Sequence, residues 1–312
     1  MNPPCTHVHT VPEIETPLRI DSFLCDYLGI MSRSQLARRQ ARFFIGDREV
    51  KASRKVRPGD VVSMSCMDVP ETELIPEAMD LDIIFEDQRI LAVNKRAGVV
   101  VHPGAGNFEG TLIHGVLHHC NELISRFPQD TLRPGIVHRL DKDTSGVIIF
   151  AKDVGAHEHL ARQFHDRKTA KTYIAVVRGV MTHQKGSVID RIVRDPRNRK
   201  RFMSVEDESG RGRRAETTYR VLRQLHEAAL VQLRPVTGRT HQLRVHMKSL
   251  GNPIIFDPIY GTKGEQHLLL HAFSIQFTHP DGNKMLLRAP LPDRFKQYIR
   301  CCGGAGPSGV QG

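Results

Sequence analysis

The chain has 312 residues, 39% of them hydrophobic, with 45 Lys and Arg against 34 Asp and Glu and a formal net charge of +11. That length can bury a sizeable core in one large domain and a small one, and the excess of positive charge points to a polyanionic partner, nucleic acid first. Apolar runs such as residues 99–101 or 268–270 fall far short of the ~20 residues a membrane span needs, the first residues lack a leader's basic start and apolar stretch, and the cysteines show no C-x-x-C pair. A soluble cytoplasmic protein with reduced thiols and no bound metal is therefore expected.

Residues 1–16 are polar and proline-bearing and read as disordered. Phe23, Leu24, Tyr27 and Leu28 follow helical spacing, with Gly29 as a stop. A second helix begins at Ser32 or Ser34, turns Leu36 inward and sets Arg38, Arg39 and Arg42 on its outward face. Strand-like pieces follow near residues 43–45 and 61–64. Residues 33–57 carry nine Lys or Arg against Asp47 and Glu49. So one-sided a charge favours a phosphate-binding surface over a merely solvated helix face. The acidic stretch 67–80, with Pro70 and Pro76, reads as a linker.

Beyond it, two strands flank a turn at Glu86 and Asp87, and residues 108–119 have helical spacing. Residues 133–152, RPGIVHRLDKDTSGVIIFAK, set a charged loop against the apolar run 147–150, which reads as a buried strand. A helix over 157–164 and a strand over 173–177 come next. Residues 191–214 are polar and basic and read as a loop or flexible hairpin. A strand over 229–233 precedes a helix capped by Thr240 and stopped by Gly251. A strand pair at 268–277 and 285–287 leads to a short helix near Phe295, and the glycine-rich residues 301–312 read as a disordered tail.

For chemistry, no phosphate-loop, G-x-S-x-G or H-E-x-x-H pattern occurs. The dense candidates are Asp141 among basic groups and the segment RPVTGRTHQLRVHMKSLGNPI. A hydrolytic glycosidase would need two carboxylates flanking the bond. One suffices where no water is consumed.

The string HRLDKDTSGVIIFAK resembles the signature of the RluA family of pseudouridine synthases. VNKRAGVVVHPG, KTYIAVVRG, TGRTHQLRVHMKSLGNPI, DPIYG and LLLHAFSIQFTHP follow the family's other segments in order. Ahead of them, RID, SRSQL and KASRKVRPGD resemble the alpha-L RNA-binding module of a ribosomal small-subunit protein. Together the resemblance spans residues 17–298. It implies an α+β catalytic domain over 81–300, with a mixed, mainly antiparallel sheet and a central cleft, and a small α/β RNA-binding domain over 17–66.

The implied reaction breaks the uridine C1'–N1 bond, turns the base and forms a C1'–C5 bond without a cofactor. By resemblance Asp141 is the catalytic aspartate, acting as nucleophile at C1' or base at C2'. Arg244 pairs with it, where a guanidinium fork can keep a carboxylate charged, and Tyr173 stacks on the uracil. Arg139 manages the uridine that leaves its stack, with Leu270 walling the pocket. His138 belongs to the same RNA-facing group and reads as hydrogen-bonded scaffold rather than acid or base. Arg38, Arg39 and Arg42 would grip RNA. The module is commonest among members that modify large-subunit ribosomal RNA, so that RNA is the expected partner of a monomeric enzyme. The alternative is a non-catalytic RNA-binding or ribosome-assembly protein that keeps the fold. Two departures stand out: Arg96 replaces a usual proline and is expected to add positive charge, and Phe256 replaces a common glycine and is expected to alter the cleft rim.

Overall fold

The structure is a computed structural model that describes residues 5–14, 16–30, 36, 40–66, 74–104, 107–128, 130, 132–198, 201–262, 264 and 266–303. Two units emerge, Met1–Glu73 and Leu74–Gly312.

In the first unit, the alternation in VVSMSC turns Val62, Met64 and Cys66 inward along strand β4 (Val61–Cys66). It pairs on one side with β2 (Arg42–Ile45), which turns through Gly46 at φ +56 into β3 (Arg48–Val50). On its other side lies β1 (Cys5–Thr10), in register from Cys5↔Cys66 to Thr10↔Val61. The expected disorder of residues 1–16 is therefore corrected for residues 5–10, while residues 1–4 and 15 lie outside the described residues. β1 satisfies a β4 edge that would otherwise stand open, and Val11 beside it is buried. Ile20, Phe23 and Leu24 close this core from a helical turn, Ile20–Ser22, that widens into a π-helical turn, Phe23–Tyr27. Gly29 at φ +64 ends it. Tyr27, expected inward, is 52% exposed and stacks on Phe23. Arg42 is also corrected: it heads strand β2 rather than lying on a helix, and its guanidinium is engaged by Glu49 on the neighbouring strand. Arg38 and Arg39 lie outside the described residues.

The second unit is built on a ten-stranded sheet. Its strands are β5 (Ile83–Glu86), β6 (Ile90–Lys95), β7 (Ser145–Ala151), β8 (Ala170–Arg178), β9 (Lys185–Arg194), β10 (Phe202–Val205), β11 (Arg213–Gln224), β12 (Ala228–Pro235), β13 (Leu270–Thr278) and β14 (Lys284–Arg288). They run in the order β10-β9-β11-β12-β8-β13-β7-β6-β5, with β14 on β13. Every pairing is antiparallel except β13 with β7. This is the mixed, mainly antiparallel α+β sheet that the sequence implied. Of the two readings of the basic segment 191–214, the structure shows a hairpin: β9 and β10 pair from Phe202↔Arg194 to Val205↔Arg191.

All seven residues of β7 are buried, as its unbroken apolar run requires of a strand covered on both faces. Helices Leu112–His119 and Val154–His165 supply Ile113, Val116, Leu117, Ala156 and Leu160 to the same core. Asp153 caps the second by accepting the Ala156 N–H at 2.9 Å. From the expected linker 67–80, Leu74 and Met79 pack here. Leu74 is buried in this core, and Glu77 accepts the Gly110 N–H at 2.9 Å. Residues 67–73 lie outside the described residues. The last helix runs Asp293–Gly303, so residues 301–303 of the expected tail are helical, and 304–312 lie outside the described residues.

Gly146, in the TSG turn, has φ +119, and a Cβ there would lie 2.2 Å from the carbonyl oxygen of Ala272 on β13. Gly146→Ala is accordingly expected to cost about 2–5 kcal/mol through backbone strain and overpacking, measured by urea unfolding.

Candidate active site

The turn that carries Asp141 is anchored before and behind. Lys95, at the end of β6 and 1% exposed, donates through Nζ to the carbonyls of Arg96 (3.0 Å), Val99 (2.8 Å) and Lys142 (2.9 Å). Burial pulls its ammonium down to about 7, against the pull of Asp143 and Asp141. After the turn, the Ser145 hydroxyl meets His271 Nδ1 at 2.9 Å and accepts from Arg294 at 2.6 Å. Asp141 thus sits between two buried clamps.

Its side chain faces a cavity of about 570 Å³ that is also lined by His138, Arg139, Tyr173, His241, Arg244 and Leu270. Among the described lining residues Asp141 is the one carboxylate, set against Arg139, Arg167, Lys171, Arg239 and Arg244. Six of the nine residues proposed from the sequence therefore meet here. Arg42 belongs to the other unit, and Arg38 and Arg39 fall outside the described residues.

Arg244 lies on the helix Gln242–Ser249 and is 3% exposed. The expected fork onto Asp141 is corrected. Nε and Nη2 instead bind Asp257 Oδ2 and Oδ1, each at 2.8 Å, and only Nη1 reaches Asp141 Oδ2, at 3.3 Å. Burial opposes the Arg244 charge, but Asp257 and then Asp141 overcome it and hold the guanidinium firmly protonated. Asp257 is fully buried. Burial would push its carboxyl up, yet the Arg244 bonds and charge, with the N–H groups of Ile259 and Tyr260, hold it below the usual range. Two carboxylates share one cation, so Asp141 is oriented by Arg244 without being neutralised.

Tyr173, on β8, is half-buried, and burial followed by the Asp141 charge pushes its phenol up, so the hydroxyl stays protonated at neutral pH. Leu270, on β13, is 3% exposed and joins the apolar wall. Arg139 is exposed at the cavity and has no ion-pair partner among the described residues. His138 accepts the Ile149 N–H at 2.9 Å and stacks on Phe164. Burial, then Lys171, drives it down to about 3, so it is neutral scaffold at the cavity wall.

The helix bearing Arg244 does not start from a Thr240 cap. Its N-cap is His241, at φ +56, with no side-chain cap bond. A non-glycine residue in that region costs of order 1–3 kcal/mol and is held there by its surroundings. Asp257, Tyr260 and Lys95 were missed as site residues, although DPIYG and VNKRAG were visible as motif segments, and His241 of THQLR reads from the sequence as hydrogen-bonded scaffold. The available signal was the burial demanded of Arg244 on an inward helix face, which calls for a carboxylate of its own. Phe256 is corrected as well. It takes φ +60, which explains why glycine suits this position, and its ring packs edge-on against Tyr298 rather than lining the cavity. The Arg96 charge is engaged by Asp80 on the surface. Elsewhere Glu86, His119 and Cys120 bring ligand atoms within 4.8 Å of one another, but Lys152 Nζ already holds the Glu86 carboxylate at 2.8 Å.

A mixed sheet with one oriented carboxylate in a basic cavity suits a protein that acts on a polyanion. The profile of the RNA pseudouridylate synthase family matches residues 89–249. An uncharacterized RNA pseudouridine synthase, YlyB, of Bacillus subtilis is 38% identical over 296 residues, which cover 93% of this chain and 96% of the relative. Ribosomal large subunit pseudouridine synthase D of Borreliella burgdorferi is 37% identical, covering 91% and 90%. The solved structure of Human RNA Pseudouridylate Synthase Domain Containing 1 superposes with a TM-score of 0.55 at 25% identity, over 77% of this chain and 99% of that one. The chain belongs to the RNA pseudouridine synthases of the RluA-like family.

Proposed function

We propose that this enzyme isomerises specific uridines in large-subunit ribosomal RNA, with Asp141 acting on the sugar. The observation that carries the reading is the placement of Asp141 as the single carboxylate of a basic cavity, oriented by Arg244, whose own charge is balanced by Asp257. Tyr173 and Leu270 bound the space for the base, and Arg139 stands free at the mouth to fill the gap left by a flipped uridine. The relatives named for large-subunit synthase D support the choice of RNA. The unit Met1–Glu73 acts as the RNA-binding module, and the enzyme works as a monomer without a cofactor.

The test is to incubate the protein with total RNA from cells that lack it and to map pseudouridine chemically. New pseudouridine at discrete large-subunit positions is expected. Modification of transfer RNA alone would overturn the substrate assignment, and no modification at all would overturn the activity. Affinity for the RNA is expected to fall with salt, with a log–log slope of about −0.7 per phosphate contacted in single-stranded regions, read by filter binding.

A further inference from the structure

His241 and Tyr260 form a second support beneath Asp141, separate from the Arg244–Asp257 pair. The Tyr260 hydroxyl accepts the Phe202 N–H at 2.8 Å and lies 2.9 Å from His241 Nδ1. A phenol has one proton to give. The Phe202 N–H already uses the phenol oxygen as an acceptor, which leaves the phenol proton available for donation to Nδ1. A neutral imidazole that accepts at Nδ1 carries its own proton on Nε2, the atom that faces Asp141 Oδ2 at 3.9 Å.

The ring is confined on two sides. Phe202 and Tyr260 both pack against it edge-on, each with ring centroids 5.6 Å apart. Tyr260 is in turn fixed by the N–H bond of its backbone to Asp257 and by the guanidinium groups of Arg201 and Arg244 over its ring, at 5.7 and 5.2 Å. The backbone of His241 is held at φ +56, a conformation that an unconstrained histidine would leave.

We propose that His241 is a positioning residue for Asp141, held by Tyr260 as the neutral Nε2–H tautomer so that its ring N–H is presented to the carboxylate. This rests on the reading of Asp141 as the reacting group. Burial lowers the tendency of the ring to take a second proton. Around it, Asp141 and Asp257 pull the other way, while Arg244 and Arg139 act with burial. A neutral donor suits this place because a full positive charge would neutralise the carboxylate that Arg244 leaves negative. Its 3.9 Å separation is the resting value, and active-site hydrogen bonds commonly tighten only when substrate is bound.

The experiment is long-range proton–nitrogen NMR of the histidine rings in the full-length protein, with His241 assigned by loss of its signal in His241→Gly. Glycine accepts the left-handed backbone, so this variant keeps the fold. The expected result is a protonated Nε2 and a bare Nδ1 at neutral pH, with the preference lost in Tyr260→Phe. Turnover of both variants is expected to fall on the order of 10- to 100-fold, with KM within about twofold of wild type. A wild-type ring protonated on Nδ1, or full turnover by His241→Gly, would overturn the proposal. Absence of pseudouridine with wild-type enzyme would instead sink the assignment of activity, while the tautomer measurement would still decide where the ring proton lies.

Discussion

Asp141→Ala is expected to lower pseudouridine formation by about 10³-fold or more while leaving RNA binding intact or tighter. Both halves follow from the same feature. Asp141 is the single carboxylate among the described residues that line the cavity, so no neighbour can take over its chemistry. Its removal also deletes the carboxylate of that lining, whose charge opposes an incoming phosphodiester. The fold should tolerate the change, because Arg244 keeps its paired bonds to Asp257. The check is single-turnover mapping of pseudouridine beside filter binding on the same RNA. A variant with substantial residual turnover would remove Asp141 from the chemistry.

Asp257→Asn is expected to cost about 3–5 kcal/mol of stability, since it leaves a buried guanidinium without its carboxylate. It should also reduce turnover, because Arg244 would be free to swing toward Asp141 and neutralise it. The pH dependence has a definite sign. The folded-state pKa of Asp257 is depressed below the unfolded value of about 3.9. Its contribution to stability is therefore fully present above that value and is lost as pH falls through the folded pKa. Urea unfolding of wild type and variant should diverge most at neutral pH and converge in acid. Equal losses at every pH would show that the carboxylate charge is not what holds the pair.

The hydrophobic patterning made much of the sheet legible. β4 alternates because one face is buried, β7 is apolar throughout because both are, and each signal is local. The N-terminal strand escaped because its polar residues and the prolines that flank it suggest a loop, whereas its order comes from a partner nearly sixty residues away in β4. In the basic 191–214 segment the sequence left loop and hairpin open, and ladder bonds to β9 decide for the hairpin.

The family was readable from the sequence itself, and so was the choice of Asp141, Tyr173 and Arg244, which line one cavity, because short motifs keep residue types in fixed order. What each group bonds was not readable. Asp141 and Arg244 are 103 positions apart, and only the packing of the Gln242–Ser249 helix on the sheet decides that the guanidinium fork goes to Asp257 and a single N–H to Asp141. The same packing turns a tyrosine and a histidine from separate motifs into one hydrogen-bonded pair. Sequence determined which chemical groups are present and the local periods of the strands and helices that carry them. Tertiary structure alone decided how their charges and protons are shared, because a buried polar group is bound to satisfy itself with whatever partners the fold brings within about 3 Å.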